Sequence, residues 1–264
     1  MPLKTGIAGG NRTKLYYEMM GEFHALVLIH SGLLDCRMWD GQFTKFAKHY
    51  KVIRYDIRGF GKSALSKGKY SHVKDLKSLL KFLEVDNLHI IGISLGGMIA
   101  IDFAIEYPEK VSSLILTSTI PFGFQNKDDE LTKMTLAIYK TAHQNNVEQA
   151  VEMWLCHPVF ATIRTRTKQK IKQMLIDNSK AWTLPTDHVI WSTPPAIERL
   201  SKIKASTLII VGDKDVPDVL DAANVLEDNI GVAIKMVIPN AGHHINLEKP
   251  RQFNNIVLDF LSYL

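Results

Sequence analysis

Apolar residues fall in two kinds of run along this chain. Short unbroken runs such as Ala25 to Ile29 and Leu208 to Val211 have the length of a strand and no polar face, as a strand buried on both sides of a sheet requires. Between them apolar residues recur three and four apart, the spacing of one helix face. Strands are expected over 14–19, 26–29, 52–55, 88–93, 113–117, 207–211 and 233–238, and helices over 38–49, 73–84, 98–107, 219–228 and 250–261. This alternation implies an α/β fold, with a mostly parallel central sheet and helices on both faces. Gly6 to Gly10 follow no strand and are expected to be a flexible start.

The rhythm stops between Pro121 and Pro195. Here apolar residues including Met134, Leu136, Ile138, Val151, Met153, Trp154 and Met174 keep helical spacing without an intervening strand. The core domain is therefore expected over 1–120 and 196–264, with a helical lid inserted over 121–195. Such an insertion lies over the carboxyl ends of the strands, where open α/β sheets bind ligands.

Composition narrows the picture. At 264 residues and 46% hydrophobic, the chain is long enough for one large α/β core. No apolar run is long enough to span a bilayer, and the first residues, Met1 to Gly6, lack the pattern of a secretory signal. The two cysteines, Cys36 and Cys156, share no motif and are expected as reduced thiols in a cytoplasmic protein. The formal charge is +5, a mild excess. Its densest cluster, Arg164, Arg166, Lys168, Lys170 and Lys172, divides between two helix faces and reads as a solvated surface. No nucleic-acid motif accompanies it, so neither a nucleic-acid nor a membrane partner is expected. The chain is expected to be a monomer or homodimer.

Candidate chemistry enters at Gly92-Ile93-Ser94-Leu95-Gly96. An apolar strand precedes this Gly-x-Ser-x-Gly and an apolar helix follows, which presents one serine at the tip of a sharp strand-to-helix turn. A serine hydroxyl is scarcely ionised at neutral pH and needs a base, itself oriented by a carboxylate. Both follow later strands: Gly212-Asp213-Lys214-Asp215 offers two acids, and Gly242-His243-His244 offers two histidines. Adjacent histidines on one turn point apart, so the pair is a poor metal site. An oxyanion needs donors. One is the Leu95 amide, and the second should follow the strand at 26–29.

Four segments in order resemble the α/β-hydrolase superfamily. Gly212-Asp213-Lys214-Asp215 resembles its Gly-x-x-Asp turn, which implies Asp215 as the acid. Gly242-His243, with Glu248 and Pro250, resembles its Gly-His-x-x-x-x-Glu-x-Pro turn, which implies His243 as the base. His30-Ser31-Gly32 is similar to its His-Gly-x oxyanion turn and implies the Gly32 amide as second donor. There Ser31 replaces the usual glycine, either as a small turn residue or as an added hydroxyl donor. Asp56-Ile57-Arg58-Gly59-Phe60-Gly61-Lys62-Ser63 is similar to its structural Asp-x-Arg-Gly-x-Gly-x-Ser loop. Gly61-Lys62-Ser63 also imitates the end of a phosphate-binding loop, but Asp56 stands where that motif needs glycine.

The resemblance is nearest to bacterial 3-oxoadipate enol-lactonases and small carboxylesterases. It implies a Ser94-His243-Asp215 triad that cleaves a small carboxylic ester or lactone through an acyl-enzyme, with no metal or organic cofactor. Relatives that cleave carbon–carbon bonds of meta-cleavage diketones tend to carry Gly-Asn-Ser-Met-Gly. Ile93 in this chain sets that reading second, and a ligand receptor on the same fold comes third. Ser31, Met134, Trp154, Phe160 and Trp182 are expected to line the substrate pocket.

Overall fold

Eight strands form one sheet in the order β1-β2-β4-β3-β5-β6-β7-β8, in a computed structural model that describes residues 2–125 and 127–264. The strands are β1 (Lys4–Gly10), β2 (Thr13–Met20), β3 (Ala25–Ile29), β4 (Lys51–Tyr55), β5 (Leu88–Ile93), β6 (Val111–Thr117), β7 (Ser206–Gly212) and β8 (Ala233–Ile238). β1 and β2 are antiparallel to each other, and β2 is antiparallel to β4. Every pairing from β4 through β8 is parallel.

Strand β1 corrects the expected flexible start. It is poor in β-forming side chains, yet pairs residue for residue with β2 from Lys4–Met19 to Gly10–Thr13. Glycine suits close approach here, since a Cβ on Gly10 would lie 2.0 Å from Ser78 Oγ. The helix expected over 38–49 is also shorter. A 3₁₀ turn, Cys36–Trp39, leads into α1 (Asp40–Phe46).

The other helices are α2 (His72–Phe82), α3 (Leu95–Glu106), α4 (Asp129–His143), α5 (Val147–Leu155), α6 (Thr165–Asp177), α7 (Pro217–Asn229), α8 (Ile245–Glu248) and α9 (Pro250–Ser262). Local chemistry starts several of them. Ser71 and Asp128 cap the first amides of α2 and α4 with side-chain oxygens, and prolines open α7 and α9, where a missing N–H costs nothing.

Alternation along the parallel strands separates two cores. Val27 and Ile29 pack with Leu76 of α2, Phe103 of α3 and Leu226 of α7. Leu26 and Leu28 face the other way, toward Phe43 of α1 and Phe253 and Val257 of α9. Between β6 and β7 the chain leaves the sheet and forms α4, α5 and α6. Their buried residues, among them Ile138, Val151 and Leu175, join the second core. The basic residues of α6 are exposed or half-buried, and Lys172 pairs with Glu152 of α5. Among the described residues, no helix is long and apolar enough to cross a membrane.

Candidate active site

Ser94 sits at the end of the central strand β5 with φ +53° and ψ −117°, a conformation that costs a non-glycine residue about 1–3 kcal/mol. Its surroundings hold it there. The Ser94 amide donates to Thr117 O at 3.1 Å, and its carbonyl accepts from Gly97 and Met98 amides at 2.9 and 3.0 Å. The Thr119 hydroxyl donates to the same carbonyl at 2.7 Å. A Cβ on Gly92 would lie 2.3 Å from Gly96 O, and one on Gly96 2.2 Å from Ile29 O. Only glycine allows so close a crossing of strand and helix.

Asp215 and His243 meet from separate loops. His243 Nδ1 lies 2.9 Å from Asp215 Oδ1, and both side chains are buried. Asp213, by contrast, is exposed. Burial of Asp215 alone would raise its carboxyl pKa. His243 and the Val216 amide, which donates at 2.8 Å, together hold it below the ordinary carboxylate range. The histidine loop is tied by Glu248, which accepts from the amides of Gly242 at 2.9 Å and His244 at 3.1 Å. Ser94 and His243 line one cavity. Among the described residues, no hydrogen bond joins the Ser94 hydroxyl to His243, and such contacts often tighten only with substrate.

Gly32 and Leu95 stand side by side, since a Cβ on Gly32 would contact the Leu95 side chain at 3.7 Å. Among the described residues, neither amide has a hydrogen-bond partner. His30 sets the turn that carries Gly32. Its Nδ1 donates to Ser31 O at 2.7 Å, while Nε2 accepts from the Ile57 amide at 2.9 Å. Burial keeps this imidazole neutral. Ile57 belongs to the Asp56–Ser63 loop, where Asp56 accepts from the amides of Cys36 and Lys62 and Arg58 pairs with Asp75. Gly61 has φ +52°, and its missing Cβ would lie 2.1 Å from the Asp56 carboxylate.

The cavity measures about 540 Å³. Ser31, Trp154 and Phe160 line it, while Met134 and Trp182 do not. Met134 is half-buried and packs against the second core. Trp182 is fully buried behind Trp154, with its indole N–H donated to Leu175 O at 3.1 Å. Helical spacing marks both as buried, and burial against the core satisfies it equally well. Lining residues the sequence did not single out include Phe60, Tyr70, His72, Tyr139, His157 and Trp191. Isolated polar residues such as His157, set between the apolar lid helices, were the available signal.

Asp35, Cys36 and Asp56 bring three ligand-type atoms within 4.8 Å of one another. Their carboxylates are already engaged, Asp35 by Arg37 and Asn178 and Asp56 by two amides. This cluster is a structural junction beneath the turn that carries Gly32.

Comparison with known proteins identifies the family and the fold. A family model described as alpha/beta hydrolase fold matches residues 24–250, and the chain belongs to that family. A 2-hydroxy-6-oxo-6-phenylhexa-2,4-dienoate hydrolase of Comamonas testosteroni is 28% identical, over 94% of this chain and 91% of its own. An enol-lactonase from Burkholderia xenovorans shares the fold with a TM-score of 0.81 at 23% identity, covering 97% of this chain and 100% of its own. A thermophilic esterase from Thermogutta terrifontis superposes with a TM-score of 0.82 at 22% identity, over 100% of this chain and 99% of its own.

Proposed function

We propose that this member of the alpha/beta hydrolase fold family is a serine hydrolase that cleaves a small carboxylic ester or lactone through an acyl-enzyme. The observation that carries the reading is the buried 2.9 Å Asp215–His243 pair beside the cavity that holds Ser94. In this reading His243 takes the Ser94 proton as the hydroxyl attacks the carbonyl, and Asp215 holds the imidazole tautomer. The free amides of Gly32 and Leu95 receive the oxyanion. The proton on His243 passes to the leaving alkoxide, and a water deprotonated by His243 then releases the carboxylic acid. Ser31, whose hydroxyl makes no hydrogen bond among the described residues, adds a third donor; an unchanged kcat in Ser31→Ala overturns that role. The segment 121–195 serves as a lid that excludes water.

A second reading is carbon–carbon hydrolysis of a diketone on the same residues. The 28% identity to the dienoate hydrolase favours it, and so does the permissiveness of one fold for several chemistries. A binding protein without turnover comes third, and the Asp215–His243 pair argues against it. Hydrolysis of p-nitrophenyl acetate, butyrate and octanoate by wild type and Ser94→Ala tests the first reading. A loss of about a thousandfold or more in the variant supports it. Turnover of a 2-hydroxy-6-oxo-dienoate with no ester activity supports the second.

A further inference from the structure

We propose that the cavity around Ser94 selects uncharged acyl compounds and that His157 holds their one polar acceptor, an inference that rests on the hydrolytic reading above. The chain carries a net +5, yet no lysine or arginine is among the described residues that line the cavity. The cations lie elsewhere. Arg37 is spent on Asp35 and Asp177. Arg58 pairs with Asp75 and opens, with Arg12, Lys69 and Lys74, into a separate groove on the far side of Tyr70 and Trp191.

Among the described residues that line the cavity the one acidic side chain is Asp218, whose carboxylate accepts from the Lys127 and Asp128 amides at 3.0 and 3.4 Å. The remaining titratable lining groups besides His243 are Tyr70, Tyr139 and the imidazoles of His72, His157 and His244. Burial keeps these three imidazoles neutral near pH 7. A substrate carboxylate would lose its water here and gain no counter-ion, while Asp218 and Asp215 repel it.

His157 supplies the contrasting polar feature. Its Nδ1 accepts from the Val159 amide at 3.4 Å. Thr135 donates its own hydroxyl proton to Leu131 O at 2.9 Å, so the Thr135 oxygen 3.3 Å from His157 Nε2 acts as acceptor. That pattern places the ring proton on Nε2. The result is a ring N–H donor set among Trp154, Phe160, Leu136 and Tyr139, held by a bond long enough to be exchanged for a substrate oxygen.

Three p-nitrophenyl esters built on one four-carbon acyl chain test this: butyrate, hemisuccinate and methyl succinate. The expected kcat/KM for hemisuccinate, ionised at pH about 8, is at least about a hundredfold below that for methyl succinate. Replacing Leu136 at the cavity rim by arginine should narrow that gap about tenfold. His157→Phe should lower the preference for methyl succinate over butyrate by about fivefold, and His157→Gln, which keeps an N–H, should restore most of it. Hemisuccinate within threefold of methyl succinate overturns the selectivity, and an equal loss on both neutral esters makes His157 only structural. If wild type hydrolyses no ester, the ester-hydrolase reading fails by itself. Fluorescence titration of Ser94→Ala with methyl succinate and hemisuccinate then tests the selectivity, and equal affinities overturn it.

Discussion

Asp215 and His243 are 28 residues apart in sequence and 2.9 Å apart in space. The carboxylate accepts from Nδ1 and leaves Nε2 as the basic nitrogen on the cavity side. Asp215→Asn keeps the size but offers the ring a donor, which favours the wrong tautomer. The expected fall in kcat for an ester substrate is about a thousandfold to ten-thousandfold, with little change in stability. A fall of less than tenfold would remove Asp215 from the mechanism.

Glu248 braces this arrangement from behind. It accepts from the amides on either side of His243, so Glu248→Ala should strand two N–H groups and cost about 2 kcal/mol of stability. Urea unfolding measures that cost. Activity should fall through kcat more than KM, because the loop that carries the base is loosened while the apolar cavity stays in place. Glu248→Gln, which retains one acceptor oxygen, should recover part of both losses.

His30 does for the Gly32 turn what Glu248 does for the histidine loop. His30→Phe leaves the buried Ile57 amide without its acceptor, at a cost of about 1–3 kcal/mol. It also frees the Ser31 carbonyl from its 2.7 Å bond. We expect lower stability together with a kcat loss for esters. An unchanged kcat would show that the Gly32 amide is positioned without His30.

Acid sensitivity follows from buried imidazoles. Burial pushes His72 and His244 each down to about 3. In the unfolded chain each binds a proton below about pH 6.5, so between these values the unfolded state holds more protons. Stability is therefore whole above that window and falls with falling pH, by up to about 1.4 kcal/mol per pH unit for each histidine. Urea midpoints measured between pH about 7 and about 4.5 check this. His244→Phe should flatten the slope by one proton's worth, and a pH-independent midpoint in wild type would contradict the assignment.

Glycine 96 gives the sharpest structural test. A methyl group there would sit 2.2 Å from the Ile29 carbonyl, a contact between two backbones that no side-chain rotation relieves. Gly96→Ala should cost at least about 3 kcal/mol, seen as lost soluble yield or a lowered Tm. A normal Tm would mean that the elbow is looser than its geometry implies.

The sequence by itself determined the alternating architecture, the serine at its glycine elbow and the two loops that carry Asp215 and His243. These features are local: a turn that needs a missing Cβ, or a strand buried on both faces, leaves its mark within a few residues. Tertiary structure decided what depends on partners distant in the chain. The motif resemblance already pointed to Asp215 and His243, and the folded chain brings these two from separate loops within 2.9 Å of each other. Strand β1 forms despite its glycines because β2 supplies the partner backbone that its own side chains do not call for. Met134 and Trp182 have the same helical spacing as the cavity residues, but a periodic apolar pattern states only that a face is buried. Whether core or cavity covers that face depends on how the inserted helices pack against the sheet. The same packing set His157 in the wall of a cavity whose described lining residues include no lysine or arginine.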